Sequence, residues 1–456
     1  MRTKIVTILA VVFFMTLNAQ DKKWSLQECV DYALENNISI KQQELNTELV
    51  GENVLTARGN FYPSLNGSAT QNWNFGSYIG QTGLRISRDT RGNSFGLNSG
   101  VNIYNGNRNR NILEQAKNDL EAAGYDLEEN KNTIMLFIVN SYLNVLLNKE
   151  NLKIAEDQIV ISENQVKEAQ GLVESGSKAK SVLLEAEATL ATNNQQLTTA
   201  QNTLNLSLLS LAQLLQMSHK GFDVEDVLLN MTSEALKYKN TDDIFEKAVS
   251  ILPEIKSAEL ALESSELDVK IAKGAYQPTL GFGAGLGTSY QHARGESDQR
   301  PIIDPDDPTN IIFVPNGFGE QLKNNMGYNL GFSLSVPIFN RFQTKSNVNR
   351  AIINQERAAL QLLDRELKLR ESIEKAYADA KAALDQFVSS EISLKAQQEL
   401  FKNAQASYNS GVMTSFDFDQ VRNRLVNAQS TMVNAKYNFV FRTKLLEYYY
   451  GIPIVM

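Results

Sequence analysis

Leucine recurs every seven residues at Leu183, Leu190, Leu197, Leu204 and Leu211, with Ala186, Asn193, Ala200, Ser207 and Leu214 three residues further on. An apolar seven-residue period held that long predicts a helix with one continuous seam, built to lie along other helices. Moving each column position by 235 residues gives Phe418, Leu425, Met432, Phe439 and Leu446, all apolar. The chain therefore carries the seamed helix twice. Other segments repeat as well: Ser175-Gly176 returns as Ser410-Gly411, and Val101 to Asn105 returns as Val336 to Asn340. Further upstream the offset is 215, pairing Ala57 to Leu65 with Ala272 to Leu280, so twenty extra residues fall between Pro278 and Val336. Two copies make a tandem duplication, not a solenoid.

Each copy opens on a helix. Ser25 and Glu28 form a capping box for the first, which runs toward Asn60 with Asn36-Asn37 as an interruption, and its counterpart from Asp242 meets Pro253. After Pro63 and Pro278 the period changes to two. Residues 64–75 and 94–105 of the first half, and 279–290 and 327–339 of the second, alternate apolar with polar positions and predict four strands. The polar faces carry Asn66, Ser68, Thr70, Asn72, Asn98, Asn102, Asn329, Ser333 and Ser335 with hardly a charge. Strands of about 10 to 12 residues suit a tilted bilayer crossing, and an uncharged polar face suits a wet lumen. Trp73, Phe75, Tyr78, Tyr104 and Tyr290 near the strand ends are candidates for an aromatic girdle. The connections 76–93 and 291–325 are expected to be long polar loops outside the membrane.

Long helices follow the strands at 106–171 and 178–217, then at 341–409 and 414–450. The first would extend for about 100 Å at 1.5 Å per residue. Turns at Ser175-Gly176-Ser177 and Ser410-Gly411 reverse the chain, with Gly176 as helix C-cap. The division expected is a leader at 1–20, a first repeat at 21–217, a mixed linker at 218–241 and a second repeat at 242–456.

Composition removes several function classes. The 456 residues carry a formal charge of -8 without a basic cluster, which argues against a nucleic-acid partner. Cys29 is the only cysteine, so no intrachain disulfide can form. His219 and His292 stand far apart without clustered acids, leaving metal sites and histidine catalysis without support, and no nucleophile motif or phosphate loop is present. No cofactor and no enzymatic activity are expected. Arg2, Lys4, the apolar run Ile5 to Leu17 and Ala19 predict a cleaved secretory signal. Beyond it no stretch is apolar enough to cross a bilayer as a helix, so any membrane insertion must use strands.

The fold class expected is a membrane β-barrel joined to a long α-helical coiled-coil barrel. Four strands cannot close a barrel, and an open sheet would leave unpaired edges in lipid, so copies must share one. Three copies give twelve strands, whereas two give eight and little lumen. The long helices are likewise expected to pack seam to seam with those of neighbouring copies.

This order of elements, with the segments Trp24 to Asn37 and Tyr408 to Gln420, resembles the outer membrane efflux family of TolC-like channels across nearly the whole mature chain. The resemblance implies a homotrimer in outer membrane lipid, working with a periplasmic adaptor and an inner membrane transporter to export drugs, metals or proteins, with no chemistry of its own. It also implies that the turns form adaptor-contacting tips: Ser175, Gly176, Ser177 and Lys178, and Ser410, Gly411, Val412, Met413 and Thr414. The family's tips often carry a basic residue two positions after the glycine. Lys178 keeps it and Met413 does not. An inward-facing acid pair at the constriction maps onto Asp417 and Gln420, of which only Asp417 is acidic; Thr414 and Asp417 equally fit a helix-capping box. The alternative to a duct is a periplasmic or secreted coiled-coil scaffold, which explains the heptads but gives the polar-faced strands no purpose.

Overall fold

The computed structural model describes residues 22–79, 83, 85–87, 89–227 and 240–452. The leader at 1–20 and residues 228–239 of the linker lie outside the described residues. In order, the elements are β1 (Lys23–Trp24), α1 (Leu26–Asn36), α2 (Ile38–Gly59), β2 (Ser64–Asn74), β3 (Ser77–Ile79), β4 (Arg85–Ser87), β5 (Thr90–Tyr104), α3 (Arg108–Glu174) and α4 (Lys180–Leu214). There follow β6 (Asp223–Val224), α5 (Thr241–Ile251), α6 (Pro253–Gly274), β7 (Thr279–Ala293), β8 (Gln299–Ile303), β9 (Ile311–Pro315), α7 (Phe318–Asn324), β10 (Gly327–Ser335), α8 (Gln343–Asn409) and α9 (Ser415–Tyr449).

Contacts divide the chain into two compact units that do not follow the repeat boundary, because each draws on both halves. The helical unit holds the described residues up to Thr47, Ala122–Glu259 and those from Gln361 onward, and the strand unit holds Glu48–Glu121 and Leu260–Leu360.

In the helical unit the entry helix is set by its sequence neighbours. The Glu28 amide donates to Ser25 Oγ at 3.2 Å, and Glu28 Oε2 accepts from the Ser25 amide at 3.0 Å. The break between α1 and α2 falls at Asn37, whose Oδ1 caps the Ser39 amide at 2.8 Å while its Nδ2 donates to the Leu214 carbonyl at 3.3 Å. Leu26, Cys29, Val30 and Ala33 of α1 bury their stripe against Ile138, Val139, Tyr142 and Leu146 of α3 and Leu211 and Leu215. Each fully buried Leu or Ile side chain stabilises by roughly 1.5–3 kcal/mol. Burial pushes the Cys29 thiol up to about 12, as expected of a small apolar core residue. The short parallel pair β1–β6 is held by Lys149, which donates to the Val224 carbonyl at 2.6 Å and pairs with Asp223 at 2.7 Å.

The second seam, expected to meet neighbouring copies, is covered within the chain, whereas Leu183, Leu190, Leu197 and Leu204 of the first are half-buried. Phe418, Leu425, Phe439 and Leu446 are buried by the chain's own helices, with Phe418 stacked on Tyr408 at 4.7 Å and Phe439 on Phe387 at 5.9 Å. An antiparallel neighbour in the same chain is tethered by a short turn, so it covers that column before any other copy can.

In the strand unit one antiparallel sheet has the order β10-β7-β5-β2, joining the halves through β5 and β7. β10 stops at Ser335, short of the expected 339, because Pro337 cannot donate to a ladder and Arg341 and Phe342 adopt left-handed backbone. β5 and β7 run further toward the connecting loops than expected, starting at Thr90 and ending at Ala293. The second connection is no structureless loop: it folds into the β8–β9 hairpin and α7. Tyr290 does not join a girdle; it is buried beneath Phe318 at 5.0 Å, whereas Trp73, Phe75 and Tyr104 are exposed. The Tyr78 side chain lies outside the described residues.

Candidate pore surface and helix-turn tips

Partners across a ladder point to the same face of a sheet, so the register assigns the polar residues without ambiguity. Asn66 pairs with Asn98, Asn98 with Gly285, and Gly285 with Asn329, forming one row across four strands. Ser68, Gly96, Gly287 and Gly327 form another row, as do Asn102, Gly281 and Ser333. Thr70 pairs with Ser94, Asn72 with Gly92, and Ser335 with Thr279. The sheet positions of this face hold only Ser, Thr, Asn, Gln and Gly, with Ala293 at the loop end, so it bears no charge. Gly285 leaves room for the flanking asparagines. A Cβ there would lie 2.5 Å from Asn329 Oδ1 and 3.1 Å from Asn98 Oδ1, since both amides lean over the glycine.

The opposite face carries Leu65, Leu97, Leu286, Leu330, Phe332 and Leu334 in the alternate rows, exposed in the isolated chain, with Leu330 at 70% and Phe332 at 72%. A contiguous apolar face of this size does not stay in water. Both outer strands, β2 and β10, also leave one edge of backbone donors and acceptors unpaired within the sheet.

One edge is covered in part. β10 pairs with β7 only as far as Gly327 and Gly287, leaving β7 bare from Thr288 onward. Gln321 of α7 takes the missing strand's place: its Oε1 accepts from the Gln291 amide at 2.9 Å and its Nε2 donates to the Gln291 carbonyl at 3.0 Å. Asn325 Nδ2 donates to the Ser289 carbonyl at 2.7 Å.

The two helix turns share their geometry at the 235-residue offset. Gly176 and Gly411 take φ of 72° and 76°. The Gly176 amide donates to the Val173 carbonyl and the Ser177 amide to Leu172, as the Gly411 amide does to Tyr408 and the Val412 amide to Ser407. These are Schellman caps, whose left-handed residue glycine adopts without a side-chain penalty. Ser175, Ser177 and Lys178 are exposed around the first turn, and Ser410, Val412 and Thr414 around the second, with Met413 half-buried. The exits differ. Thr414 Oγ1 accepts from the Asp417 amide at 3.2 Å and donates to Asp417 Oδ2 at 2.7 Å, whereas Ala179 at the same place makes no side-chain cap. Asp417 is thus engaged as a helix-start residue and is exposed; Gln420 is exposed and accepts from Arg424 at 3.4 Å.

One group near the second turn escaped the sequence analysis. Arg422 is 1% exposed, pairs with Asp419 at 3.2 Å and donates to Gln165 Oε1 of α3, while its Nε has no partner. Burial lowers the guanidinium below its ordinary value, and Asp419 opposes that shift. The α3 face running through Gln158, Ser162 and Gln165 is polar, and Asn193 of the leucine column donates to Ser162 Oγ. Arg422 looks like a surface arginine in sequence because its burial depends on a helix over two hundred residues away.

No helix among the described residues is long and apolar enough to cross a membrane, and no cluster of His, Cys, Asp and Glu among them could hold a metal ion. A sheet with one uncharged polar face and one apolar face, joined to long helical hairpins, is the fold of known outer membrane channels. The CusC structure superposes with a TM-score of 0.77 at 18% identity, covering 94% of this chain and 92% of that one. The Campylobacter jejuni CmeC outer membrane channel gives 0.74 at 18% identity, covering 93% and 85%. The outer membrane efflux protein family model matches residues 29–216 and again 246–443, once per repeat, and the chain belongs to that family. Relatives include the pyoverdine export outer membrane protein OpmQ of Pseudomonas aeruginosa, 24% identical over 336 residues, and the cation efflux system protein CusC of Escherichia coli O157:H7, 23% identical over 427 residues. The matched regions cover 70% of this chain and 62% of OpmQ, and 90% of this chain and 82% of CusC.

Proposed function

We propose that the protein is a passive exit duct in the outer membrane of a Gram-negative bacterium. In this reading it receives substrates from an inner membrane pump through a periplasmic adaptor, in a tripartite efflux or type I secretion system. The observation that carries it is the sheet: an uncharged polar face, an apolar face open except at its loop end, where Phe318 packs on Tyr290, and two open edges in one protomer. Lipid suits the apolar face, water the polar face, and further copies the edges, which three protomers close into a twelve-stranded ring. The row Asn66, Asn98, Asn329, with Ser68, Thr70, Asn72, Asn102, Ser333 and Ser335, then lines the lumen. The Gly176 and Gly411 turns become the tips that meet the adaptor, and Asp417 with Gln420 borders the periplasmic constriction.

Cysteine labelling tests it. A membrane-impermeant thiol reagent at Asn329→Cys is expected to lower conductance in planar bilayers, whereas Leu330→Cys is expected to react only with lipid-soluble reagents. A soluble periplasmic monomer with both positions open to water overturns the reading and favours the scaffold. For the constriction, Asp417→Ala is expected to weaken cation selectivity; unchanged selectivity leaves Asp417 only its cap.

A further inference from the structure

The second inter-strand connection, twenty residues longer than the first, holds the β8–β9 hairpin. Its register pairs Pro301 with Phe313 and Ile303 with Ile311, placing these four on one face. That face is open: Ile303, Ile311 and Phe313 are 66%, 63% and 66% exposed. A two-stranded hairpin is marginal in water on its own, more so with an uncovered apolar side.

The root of the hairpin is fixed. The Asn316 amide donates to the Asp298 carbonyl at 2.7 Å, Gln321 Nε2 donates to the Asn316 carbonyl at 2.9 Å, and His292 Nδ1 meets Asp298 at 3.0 Å. Gln321 also covers the β7 edge, so the hairpin starts on the β10 side of the sheet. Its tip is acidic, with Asp304 and Asp307 accepting from the Asp306 and Thr309 amides at 3.0 Å each. Three aspartates, at 304, 306 and 307, make a poor leading end for entry into lipid.

The other side of the same sheet holds a matching surface. At the loop end of β2 and in β3, Trp73, Phe75 and Ile79 are 59%, 78% and 70% exposed. These residues and the hairpin lie toward opposite edges of the sheet. A ring in which β10 of one copy meets β2 of the next brings the two patches side by side, once per joint, as a head-to-tail contact.

We propose that the β8–β9 hairpin of each copy packs Ile303, Ile311 and Phe313 onto Trp73, Phe75 and Ile79 of the adjacent copy, clasping the ring above its strand joints. This rests on the ring reading of the sheet. Cross-linking separates the two, because Cys29 is buried and no other cysteine competes. In the full chain, in outer membranes, oxidation of Phe75→Cys with Phe313→Cys is expected to give covalent dimers and trimers on non-reducing gels, and each single variant none. Leu65→Cys combined in turn with cysteine at Tyr328, Leu330, Phe332 and Leu334 reports the β2–β10 joint alone. A joint that cross-links while the Phe75 and Phe313 pair does not overturns the clasp and keeps the ring; failure of both sets overturns the ring as well. Self-linking of Phe313→Cys alone, or its capture by a lipid-borne thiol reagent without cross-links, also overturns the proposal by giving the hairpin another occupant.

Discussion

The helical unit and the strand unit satisfy their apolar residues differently. In the first, Tyr142, Leu211 and Ile138 are covered by the chain itself, and the Tyr142 hydroxyl finds the Trp24 and Glu225 carbonyls at 3.2 and 3.1 Å. In the second, Leu330, Phe332 and Leu334 face outward with nothing of the chain over them. One unit closes a core with its own side chains, while the other leaves the apolar residues of its outer strand open.

The largest effects test this contrast directly. Leu211→Ala is expected to lower stability by about 2–5 kcal/mol in denaturant titrations of the detergent-solubilised protein, since it hollows a closed core. Leu330→Ala in the same measurement is expected to stay within about 0.5 kcal/mol. Reversing the medium reverses the ranking at that site: Leu330→Lys is expected to cost about 2–4 kcal/mol for folding into lipid vesicles. A vesicle value near zero would mean that the apolar face meets water or protein, and the contrast would collapse.

Smaller effects sharpen it within the helical unit, where the two turns share caps but not exits. Thr414→Ala is expected to cost about 1 kcal/mol and Ala179→Ser to add a similar amount, read by hydrogen exchange of the following turn. Equal exchange in wild type at both exits would mean that the missing cap is supplied otherwise. The smallest effect depends on pH. Burial, with the Glu129 charge adding to it, raises the Glu254 carboxyl above its ordinary value. The folded state therefore holds that proton more tightly, so this stabilisation is complete below the unfolded value and is lost as pH rises through the folded one. Glu254→Gln is expected to remove that loss, measured as a thermal midpoint less sensitive to rising pH.

What could be read from the chain depended on how far away the partner lay. The Ser25 and Glu28 box, the Gly176 and Gly411 turns and the two-residue alternation involve neighbours within a few residues, and periodicity carries that information. Tyr290 was misread because its cover, Phe318, comes from a connection that composition marks only as loop. The β8–β9 strands are five residues each, too short for a period to stand out. For the Phe418 column, a heptad announces that a seam exists without saying whose helix covers it, and the chain's own fold supplied the answer. Arg422 gave no signal at all, since nothing local distinguishes it from Arg424 two residues later.

The joint between β5 and β7 has one further consequence. These strands belong to different repeats, yet they meet edge to edge as neighbouring protomers would have to at β10 and β2. If three copies close the ring as proposed, it is a hexagon of related hairpin modules in which alternate corners lie within one chain. Separating the halves within residues 225–240 and co-expressing them should leave every corner chemically intact, asking only whether six loose parts find each other as readily as three tethered pairs.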